Sequence, residues 1–347
     1  MLFVSHNASR SGAPLLLLEL ERWLVANTTV QVSTALLDGG PVAGRFYDVG
    51  PVVAPAGLGA VDVDLVYLNT VGSAAALHHL PVGPRVVCHV HELDYALTHW
   101  ITEADREALR RRVDRFLVVS DLVREALHRC VGIEYERIVR HYGFIDVDAV
   151  QRALEPAPGP GPAAVSPPHI GTSGTTEWRK APDLFLALAG VVHRTLPGAR
   201  FSWVGGSAEG PEIDRVLADR ARAGLDDEVA FVGEQADAHR WFAGYDVFAL
   251  MSRDDPFPLT CLEAAALGVP VVAFDSTGAR EFLADGCGVV VPYPDVEAMA
   301  AEIVDLLADD ARRTAITASA AARVRADHDI GVAAPRLFAE LESVLAS

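Results

Sequence analysis

Short apolar segments alternate with amphipathic segments along almost the whole chain, and this alternation restricts the fold more than any other feature. In the first half the apolar segments include VQVSTALL, VDLVYLN, RVVCHV and RFLVVS, and helical patterns such as EADREALRRRVD and DLVREALHRC lie between them. Strands that are buried on both faces and separated by helices are typical of parallel, doubly wound sheets. The pattern therefore predicts an α/β fold.

A proline- and glycine-rich segment, EPAPGPGPAAVSPP, interrupts the alternation, and a second α/β series with strand patterns such as ARFSWVGG, DVFALMS and VPVVAF follows it. Such an interruption is typical of a linker, and 347 residues favour two domains at about 150 residues each. Ligands of these sheets bind outside the carboxyl ends of the strands, so we expect a site in a cleft between two Rossmann-like domains. The expected bounds are 1–155 for the first domain, 156–167 for the linker, 168–330 for the second domain and 331–347 for a helix that packs back on the first.

The net charge of −18 is unevenly divided and excludes one class of partner. Residues 1–160 carry 14 basic and 19 acidic side chains, and residues 161–347 carry 15 and 28. A nucleic-acid partner is therefore not expected, because its binding needs a basic face. The four cysteines show no metal-binding or disulfide spacing, and neither a signal peptide nor an integral membrane segment is evident, so we expect a cytoplasmic location.

The segment SRDDPFPLTCLEAAALGVPVVAF carries the strongest local signal for a binding site. A strand pattern ends in a loop stiffened by Pro256 and Pro258, and a helix follows that Gly268 ends. Asp255 in the loop and Glu263 in the helix are eight residues apart. A helix N-terminus attracts anions, and flanking carboxylates suit the hydroxyl groups of a sugar, so the combination suits a sugar diphosphate.

A second candidate is the loop within HIGTSGTTEWRKAPDLFLALAGVV, where Arg179 and Lys180 precede a helix. Lys180 is the only lysine among the 29 basic residues. Cations beside free N–H groups suit a diphosphate, and Thr175 and Thr176 can add hydroxyl donors. The alternative interpretation is a solvated, charged loop.

Two further candidates lie in the first half of the chain. A loop with Gly12 precedes a helix that we expect to begin at Pro14, and because it matches neither GxxxxGK[ST] nor GxGxxG, a P-loop and a dinucleotide dehydrogenase are disfavoured. RVVCHVHEL places His89 and His91 at the end of a buried strand, where they can contact a ligand. Metal ligation by the H-x-H pair lacks a third ligand, and a structural role for these histidines is the other alternative.

Two patterns are expected to have no ligand. Asp62 and Asp64 spell the DxD metal signature, but they stand at the start of an apolar strand and are expected to be acids at the edge of that strand. The arginine-rich helix pattern near residue 110 suggests membrane docking, yet interspersed acids leave it nearly neutral. A solvated helix face is therefore expected there, and peripheral membrane contact is not indicated.

Taken together, the segments resemble the retaining GT-B glycosyltransferases of family 4, also called glycosyltransferase group 1. That family usually shows E-x-F-G-x-x-x-L-E-A and G-R-x(n)-K-G at the two loops. Further matching stretches are FVGE, GAREFL, HYGFID and the glycine pair Gly205-Gly206. The departures from the family patterns are Asp255 for the first Glu, Pro258 for the Gly, Thr172 for the Arg and Ala181 for the last Gly.

The resemblance implies a GT-B fold and transfer of a sugar, with retention and without a metal, from a nucleotide-diphosphate sugar to an acceptor hydroxyl. It implies attack from the face of the leaving group, so no protein nucleophile is named. The catalytic residues that it implies are Lys180 and Arg179 on the diphosphate, and Asp255 and His91 on the donor sugar. The donor-binding residues that it implies are Glu263 on the ribose, Gly12, Thr175, Thr176, Gly233, Pro258, Leu259 and Thr260.

The expected protein is thus a hexosyltransferase of polysaccharide or natural-product biosynthesis that needs no cofactor. Its expected partners are a nucleotide-sugar donor and a carbohydrate or small-molecule acceptor. Two alternatives stay open: a nucleotide-sugar epimerase with a GT-B fold, and an inactive GT-B partner protein. The donor sugar, the base, the acceptor, the oligomeric state and the choice between Asp254 and Asp255 are left undetermined by the sequence.

Overall fold

The computed structural model describes residues 1–154, 167–207 and 209–347. The described residues form two compact units, and each is considered by itself. Met1–Ile145 and His328–Ser347 make up the first unit, and the second unit comprises Asp146–Asp327. The expected linker over 156–167 lies outside the described residues except for Pro167.

The first unit is built on a seven-stranded parallel sheet with the strand order β3-β2-β1-β4-β5-β6-β7. Its strands are β1 (Leu2–Ser5), β2 (Ser33–Leu36), β3 (Val52–Val53), β4 (Leu65–Asn69), β5 (Arg85–Val90), β6 (Arg115–Val118) and β7 (Ile138–Arg140). Leu2 of β1 pairs in register with Ser33 on one side and with Val66 on the other. The strand order reverses between β1 and β4, so the loops after these two strands diverge at a topological switch point.

Helices and turns of the first unit connect these strands. With helices numbered along the chain, they are α1 (Gly12–Asn27), α2 (Ala43–Tyr47), α3 (Asp94–His99), α4 (Glu103–Arg112), α5 (Asp121–Val131) and α14 (Ile330–Ala346), with 3₁₀ turns at Pro55–Ala60, Val71–His78 and Tyr135–Arg137. The expectation that α1 begins at Pro14 is wrong by two residues. The first amides of a helix need no internal acceptor, so a proline is accommodated at its third position.

The second unit is built on a six-stranded parallel sheet with the order β10-β9-β8-β11-β12-β13. Its strands are β8 (His169–Ser173), β9 (Arg200–Val204), β10 (Val229–Gly233), β11 (Val247–Leu250), β12 (Val271–Phe274) and β13 (Val289–Val291). The order reverses between β8 and β11, where Ile170 pairs in register with Val247. The loops after β8 and β11 therefore open from neighbouring strands at the second switch point.

Eight helices of the second unit complete its described part. They are α6 (Val147–Arg152), α7 (Pro182–Thr195), α8 (Pro211–Ala223), α9 (Ala238–Phe242), α10 (Leu259–Ala266), α11 (Ala279–Leu283), α12 (Val296–Ala308) and α13 (Asp310–Arg323), with a 3₁₀ turn at Trp178–Lys180 and a π-helical turn at Val324–His328. The side-chain amide of Gln151 on α6 donates through Nε2 to the carbonyl of Ala266, 3.1 Å away. Asp148 on α6 pairs with Arg325 at 2.6 Å. These bonds attach α6 to the second unit, so the division falls at residue 145 rather than at the expected 155.

The structure also gives the positions of the two patterns that were expected to have no ligand. Asp62 and Asp64 are exposed ahead of β4, at the amino edge of the sheet and away from the carboxyl ends of the strands. On α4, Arg110 pairs with Glu103 at 3.0 Å, and Arg112 donates to the carbonyl of Leu77 at 2.6 Å. Among the helices of the described ranges, none has the length and hydropathy to cross a membrane.

Candidate functional site

An ion pair between Lys180 and Asp255 lies at the second switch point. The ammonium group of Lys180, at the end of the loop after β8, donates to Oδ2 of Asp255 in the loop after β11. The carboxylate side chain is only 7% exposed and the lysine side chain 15%. The hydroxyl of Ser252 lies 3.4 Å from the same carboxylate oxygen. Two oppositely charged groups that are 75 residues apart in the sequence thus meet where strand order predicts a ligand.

Backbone hydrogen bonds join the two loops on either side of this ion pair. The amides of Arg253 and Asp254 donate to the carbonyl of Arg179, at 2.8 Å and 3.3 Å. The amide of Gly278 donates to the carbonyl of Asp255 at 2.9 Å. Asp255, rather than Asp254, is therefore the acid that the structure places against Lys180.

Close packing requires glycine in β8 and directly after β9, beside the loop that carries Lys180. A Cβ at position 171 would lie 2.1 Å from the ring of Tyr245, and one at position 205 would lie 2.8 Å from the carbonyl oxygen of Gly174. Gly205 also has a φ of +104°. The indole Nε1 of Trp203 donates to the same Gly174 carbonyl at 2.9 Å. These contacts hold the loop after β8 against the end of β9.

The residue after Lys180 has an unusual backbone conformation. Ala181 is fully buried and has φ +62° and ψ +53°, the left-handed region that favours glycine. It precedes Pro182, the first residue of α7. Glycine, which usually occupies this position in the family that the sequence resembles, would adopt this geometry without strain.

The second acid of the spaced pair lies in the second turn of α10. Oε1 of Glu263 is 3.6 Å from Nε2 of His239 on α9. Burial disfavours charge on this imidazole, but the Glu263 carboxylate outweighs burial and raises the pKa of His239. Pro258 occupies the N-cap position of α10, so Leu259 and Thr260 supply the first amides of the helix. Burial, with the charge of Asp255 as a smaller cause, raises the pKa of the Cys261 thiol in the first turn of α10.

Some of the expected residues do not gather at the Lys180–Asp255 pair. The guanidinium of Arg179 pairs with Glu177 at 3.0 Å. Thr175 Oγ1 is buried and has no hydrogen-bond partner among the described residues, whereas Thr176 is buried against Gly206. Gly233 lies at the end of β10, where its carbonyl accepts from the amide of Gly205 at 2.8 Å.

In the first unit, His6, Thr70 and His91 lie at the carboxyl ends of β1, β4 and β5. His91 follows β5, and its Nε2 is buried without a partner in the described part of the chain. Burial, followed by the neighbouring His6, lowers the pKa of His91 to about 3. A hydrogen bond of 3.0 Å joins His6 to Thr70, and Glu92 accepts from the amide of His91 at 2.8 Å. His91 is therefore a neutral imidazole near the first switch point.

The other histidine of the H-x-H pair lies in the core, in the structural position that was one of the alternatives. His89 lies within β5 and is fully buried, and its Nδ1 is 2.5 Å from the hydroxyl of Tyr67. Burial and the adjacent imidazoles of His91 and His141 lower its pKa well below the usual range. Period-two alternation is obscured in a strand that is apolar on both faces, so the sequence did not separate this core residue from His91. Gly12 is the exposed first residue of α1.

Two family models match most of the chain. The model described as glycosyl transferases group 1 matches residues 167–309, and the one described as glycosyltransferase family 4 matches residues 43–149. The structure also superimposes on Anabaena HepE, solved in complex with UDP and glucose, with a TM-score of 0.84, 18% identity and 99% of each chain covered. The chain belongs to the family 4 glycosyltransferases and has the GT-B fold. The α/β fold expected from the sequence is thereby confirmed.

Other proteins similar to this family 4 chain are mannosyltransferases and a synthase. The lipopolysaccharide core biosynthesis mannosyltransferase LpsB of Rhizobium meliloti is 33% identical over 185 residues, which are 51% of this chain and 52% of that protein. A GDP-mannose-dependent phosphatidylinositol monomannoside mannosyltransferase of Mycolicibacterium smegmatis is 34% identical over 150 residues, 40% of this chain and 38% of that protein. The sucrose-phosphate synthase of Thermosynechococcus elongatus has a TM-score of 0.80 at 18% identity, with 99% and 98% of the two chains covered. The chain spans about half the length of the curated relatives it matches.

Several polar residues around the sites of this family 4 chain were not found by the sequence analysis. They are Asp183, Arg253 and His239 in the second unit, and His6 and Thr70 in the first. Their roles depend on partners that are far away in the sequence. Asp183 and Arg253, for example, are 70 residues apart. A sequence signal existed only for Arg253, which stands two residues before the acid of the spaced pair.

Proposed function

We propose that this chain transfers a hexose from a nucleoside-diphosphate sugar to an acceptor hydroxyl, with retention of configuration and without a metal ion. The observation that carries the proposal is the buried Lys180–Asp255 pair at the switch point, next to the N-terminus of α10, the helix that contains Glu263. Family membership and the donors named for similar proteins, UDP-glucose and GDP-mannose, support it.

Charge is the main physical argument for a donor diphosphate at this place. The second half of the chain is strongly acidic, so an anion can bind there only through local groups. Lys180 and the first amides of α10, those of Leu259 and Thr260, are such groups. In this role Lys180 exchanges part of its pairing with Asp255 for the phosphate oxygens and stabilises the charge that develops on the leaving group.

Carboxylates near the diphosphate would recognise the two sugars of the donor. Asp255, once its pairing with Lys180 is relaxed, can accept hydrogen bonds from hydroxyls of the transferred sugar. Glu263, held beside His239, can accept from the ribose hydroxyls. We assign one further hydroxyl to the neutral imidazole of His91, whose Nε2 has no hydrogen-bond partner among the described residues. These assignments follow the family pattern and are part of the proposal.

A donor screen tests the proposal directly. The purified chain is incubated with UDP-glucose, GDP-mannose and other nucleotide sugars, in buffer and with simple glycoside acceptors, and nucleotide release is measured together with the anomeric configuration of the product by NMR. We expect slow donor hydrolysis with at least one donor, an α-linked product from an α-linked donor, and unchanged rates in EDTA. A folded sample that binds and cleaves no donor contradicts the proposal, and conversion of a donor into its epimer without an acceptor would favour an epimerase.

Substitutions at the site test the roles proposed for Lys180 and Glu263. Lys180→Met removes the ammonium group and should lower turnover by about 10²- to 10³-fold, the range measured when a charge-stabilising donor is lost from an active site. Glu263→Gln should weaken nucleotide binding by about tenfold, since hydrogen bonds to a charged group contribute about 1.5–3 kcal/mol. The matched control is Arg194→Gln, which breaks an exposed ion pair with Glu297 at the far end of α7. Full activity of Lys180→Met would refute the assigned role.

A further inference from the structure

We propose that the ion pair between Asp183 and Arg253 positions Lys180 against Asp255, and that its loss uncouples the two loops of the donor site. The consequence for catalysis rests on the proposed function, whereas the consequence for Lys180 itself does not. Neither residue is assigned to the donor, so both are positioning residues.

The guanidinium group of Arg253 donates hydrogen bonds both to the loop after β8 and to α7. Its two terminal nitrogens donate to the two carboxylate oxygens of Asp183 at 2.8 Å and 2.7 Å, in the bidentate geometry that guanidinium and carboxylate share. One of them also donates to the carbonyl of Trp178 at 2.9 Å, and the guanidinium lies 5.5 Å from the centre of the Trp178 ring. The Arg253 side chain is 13% exposed. The hydrogen bond to Asp183 raises the pKa of Arg253, so the pair is charged throughout the ordinary pH range.

The contacts of Arg253 lie on both sides of Lys180 in the chain. Trp178 and Arg179 precede Lys180, and their carbonyls accept from the side chain and the backbone amide of Arg253. Asp183 follows Lys180 in the first turn of α7. The segment from 178 to 183 is thus held at both ends by one residue of the other loop, with the lysine in between.

The same residue stands two positions before Asp255. A displacement of Arg253 relative to α7 therefore moves Asp255 relative to Lys180. The turn between the two contacts contains the left-handed Ala181, a conformation that is strained for a residue with a Cβ and so needs surrounding contacts to persist. The Asp183–Arg253 pair supplies such contacts on the carboxyl side of the turn.

The chemical reactivity of Lys180 provides a test that needs no enzymatic activity. Because Lys180 is the only lysine in the chain, acetylation by an N-hydroxysuccinimide ester followed by mass spectrometry reports one side chain, and the N-terminal amine appears on a separate peptide. The variants are Asp183→Asn and Arg253→Gln, which add no lysine, and the control is Arg194→Gln on the same helix. We expect Lys180 to react about tenfold faster in both variants, in the range of coupling found within one ion-pair network, and at the native rate in the control.

Non-additivity separates positioning from general stabilisation. In the double variant the rate of acetylation should equal that of Arg253→Gln alone, because that variant already lacks the pair with Asp183. If the pair only stabilises α7, the thermal midpoint falls while Lys180 reacts at the native rate well below that midpoint. Acetylation within twofold of the native rate in both folded variants would overturn the proposal.

Kinetics complete the test when a donor has been found. We expect the two variants to lower kcat by about tenfold and to change the donor KM by less than about threefold, because misplacing a charge-stabilising group affects the transition state more than the bound donor. Unchanged kcat together with fast acetylation would overturn the consequence for catalysis. If the native chain turns over no donor, the proposed function fails, and the acetylation result still decides whether Asp183 and Arg253 position Lys180.

Discussion

Glu21 on α1 is a carboxyl group inside the core of the first unit, and replacing it by glutamine should stabilise that unit more as the pH rises. The side chain is fully buried. Its Oε2 accepts from the hydroxyl of Thr34 at 2.9 Å, and its Oε1 has no partner among the described residues. Burial, only partly offset by the Thr34 hydrogen bond, raises the pKa of Glu21 from 4.5 to about 8.

The magnitude follows from the linkage between protons and folding. Below pH 4.5 the carboxyl group is protonated in both states and its titration has no effect on stability. Between pH 4.5 and about 8 the unfolded chain releases a proton that the folded chain keeps, so stability falls by about 1.4 kcal/mol per pH unit. At pH 7 the loss amounts to about 3 kcal/mol. Glutamine has nearly the same shape and does not titrate, so Glu21→Gln escapes this loss.

Hydrogen exchange followed by mass spectrometry is the suitable assay, because it reports on peptides of β1 and β4 without requiring both units to unfold together. Variant and native chains are compared at the same pH, which cancels the pH dependence of chemical exchange. The protection of the variant relative to the native chain should rise about tenfold per pH unit from 4.5 to 8 and then stay level. The control is Glu19→Gln, on the same helix but partly exposed and paired with Arg22 at 3.1 Å.

The slope, rather than the sign at one pH, carries the argument. A buried amide group that lacks a partner costs about 1–3 kcal/mol, but this cost does not depend on pH. A difference between variant and native chain that stays constant from pH 5 to 8 would refute the assignment of a protonated Glu21. A rise of the same size in Glu19→Gln would show that the effect is not specific to the buried site.

Three further predictions concern the backbone and the histidines. Ala181→Gly should stabilise the second unit by about 0.5–1 kcal/mol, as relief of left-handed strain exceeds the entropy cost of glycine; a lower thermal midpoint would contradict this. Gly171→Ala should destabilise it by about 1–3 kcal/mol because of the clash with Tyr245, and an unchanged denaturation midpoint would contradict that. His91, with its pKa lowered to about 3, should destabilise the first unit as the pH falls below 6.5, by about 2 kcal/mol at pH 5, since only the unfolded chain gains a proton there. In His91→Gln, hydrogen exchange measured from pH 7 to pH 5 should show a correspondingly smaller loss of protection, and an equal loss would contradict the assignment.

Much of the fold was accessible from local patterns. Apolar segments separated by amphipathic ones predicted parallel sheets, and the structure has them in both units. The start of α1 and the division between the units were misplaced by two and ten residues. Both depend on features that composition does not report: the tolerance of a first helical turn for proline, and the hydrogen bond of Gln151 to a distant helix.

The candidate site was accessible only in part. Asp255, Glu263 and Lys180 are recognisable because each belongs to a motif with a fixed local spacing. The sequence does not reveal that Lys180 pairs with Asp255, nor that His239 lies beside Glu263. Arg179 has the expected charge but pairs with Glu177, because side-chain direction depends on the turn in which the residue lies.

Chemical type and local conformation are encoded in short stretches of this chain, whose periodicity and motifs are enough to indicate an α/β glycosyltransferase fold and the loops that carry the charged residues. Contacts between those loops have a different origin. The order of parallel strands across a sheet does not follow from their order in the sequence. In the second unit, β8 lies between β9 and β11. That adjacency brings Lys180 to Asp255 and Asp183 to Arg253 across 75 and 70 residues. The partners of a buried charge depend on this packing, because burial makes an unpaired charge costly and leaves few groups within reach.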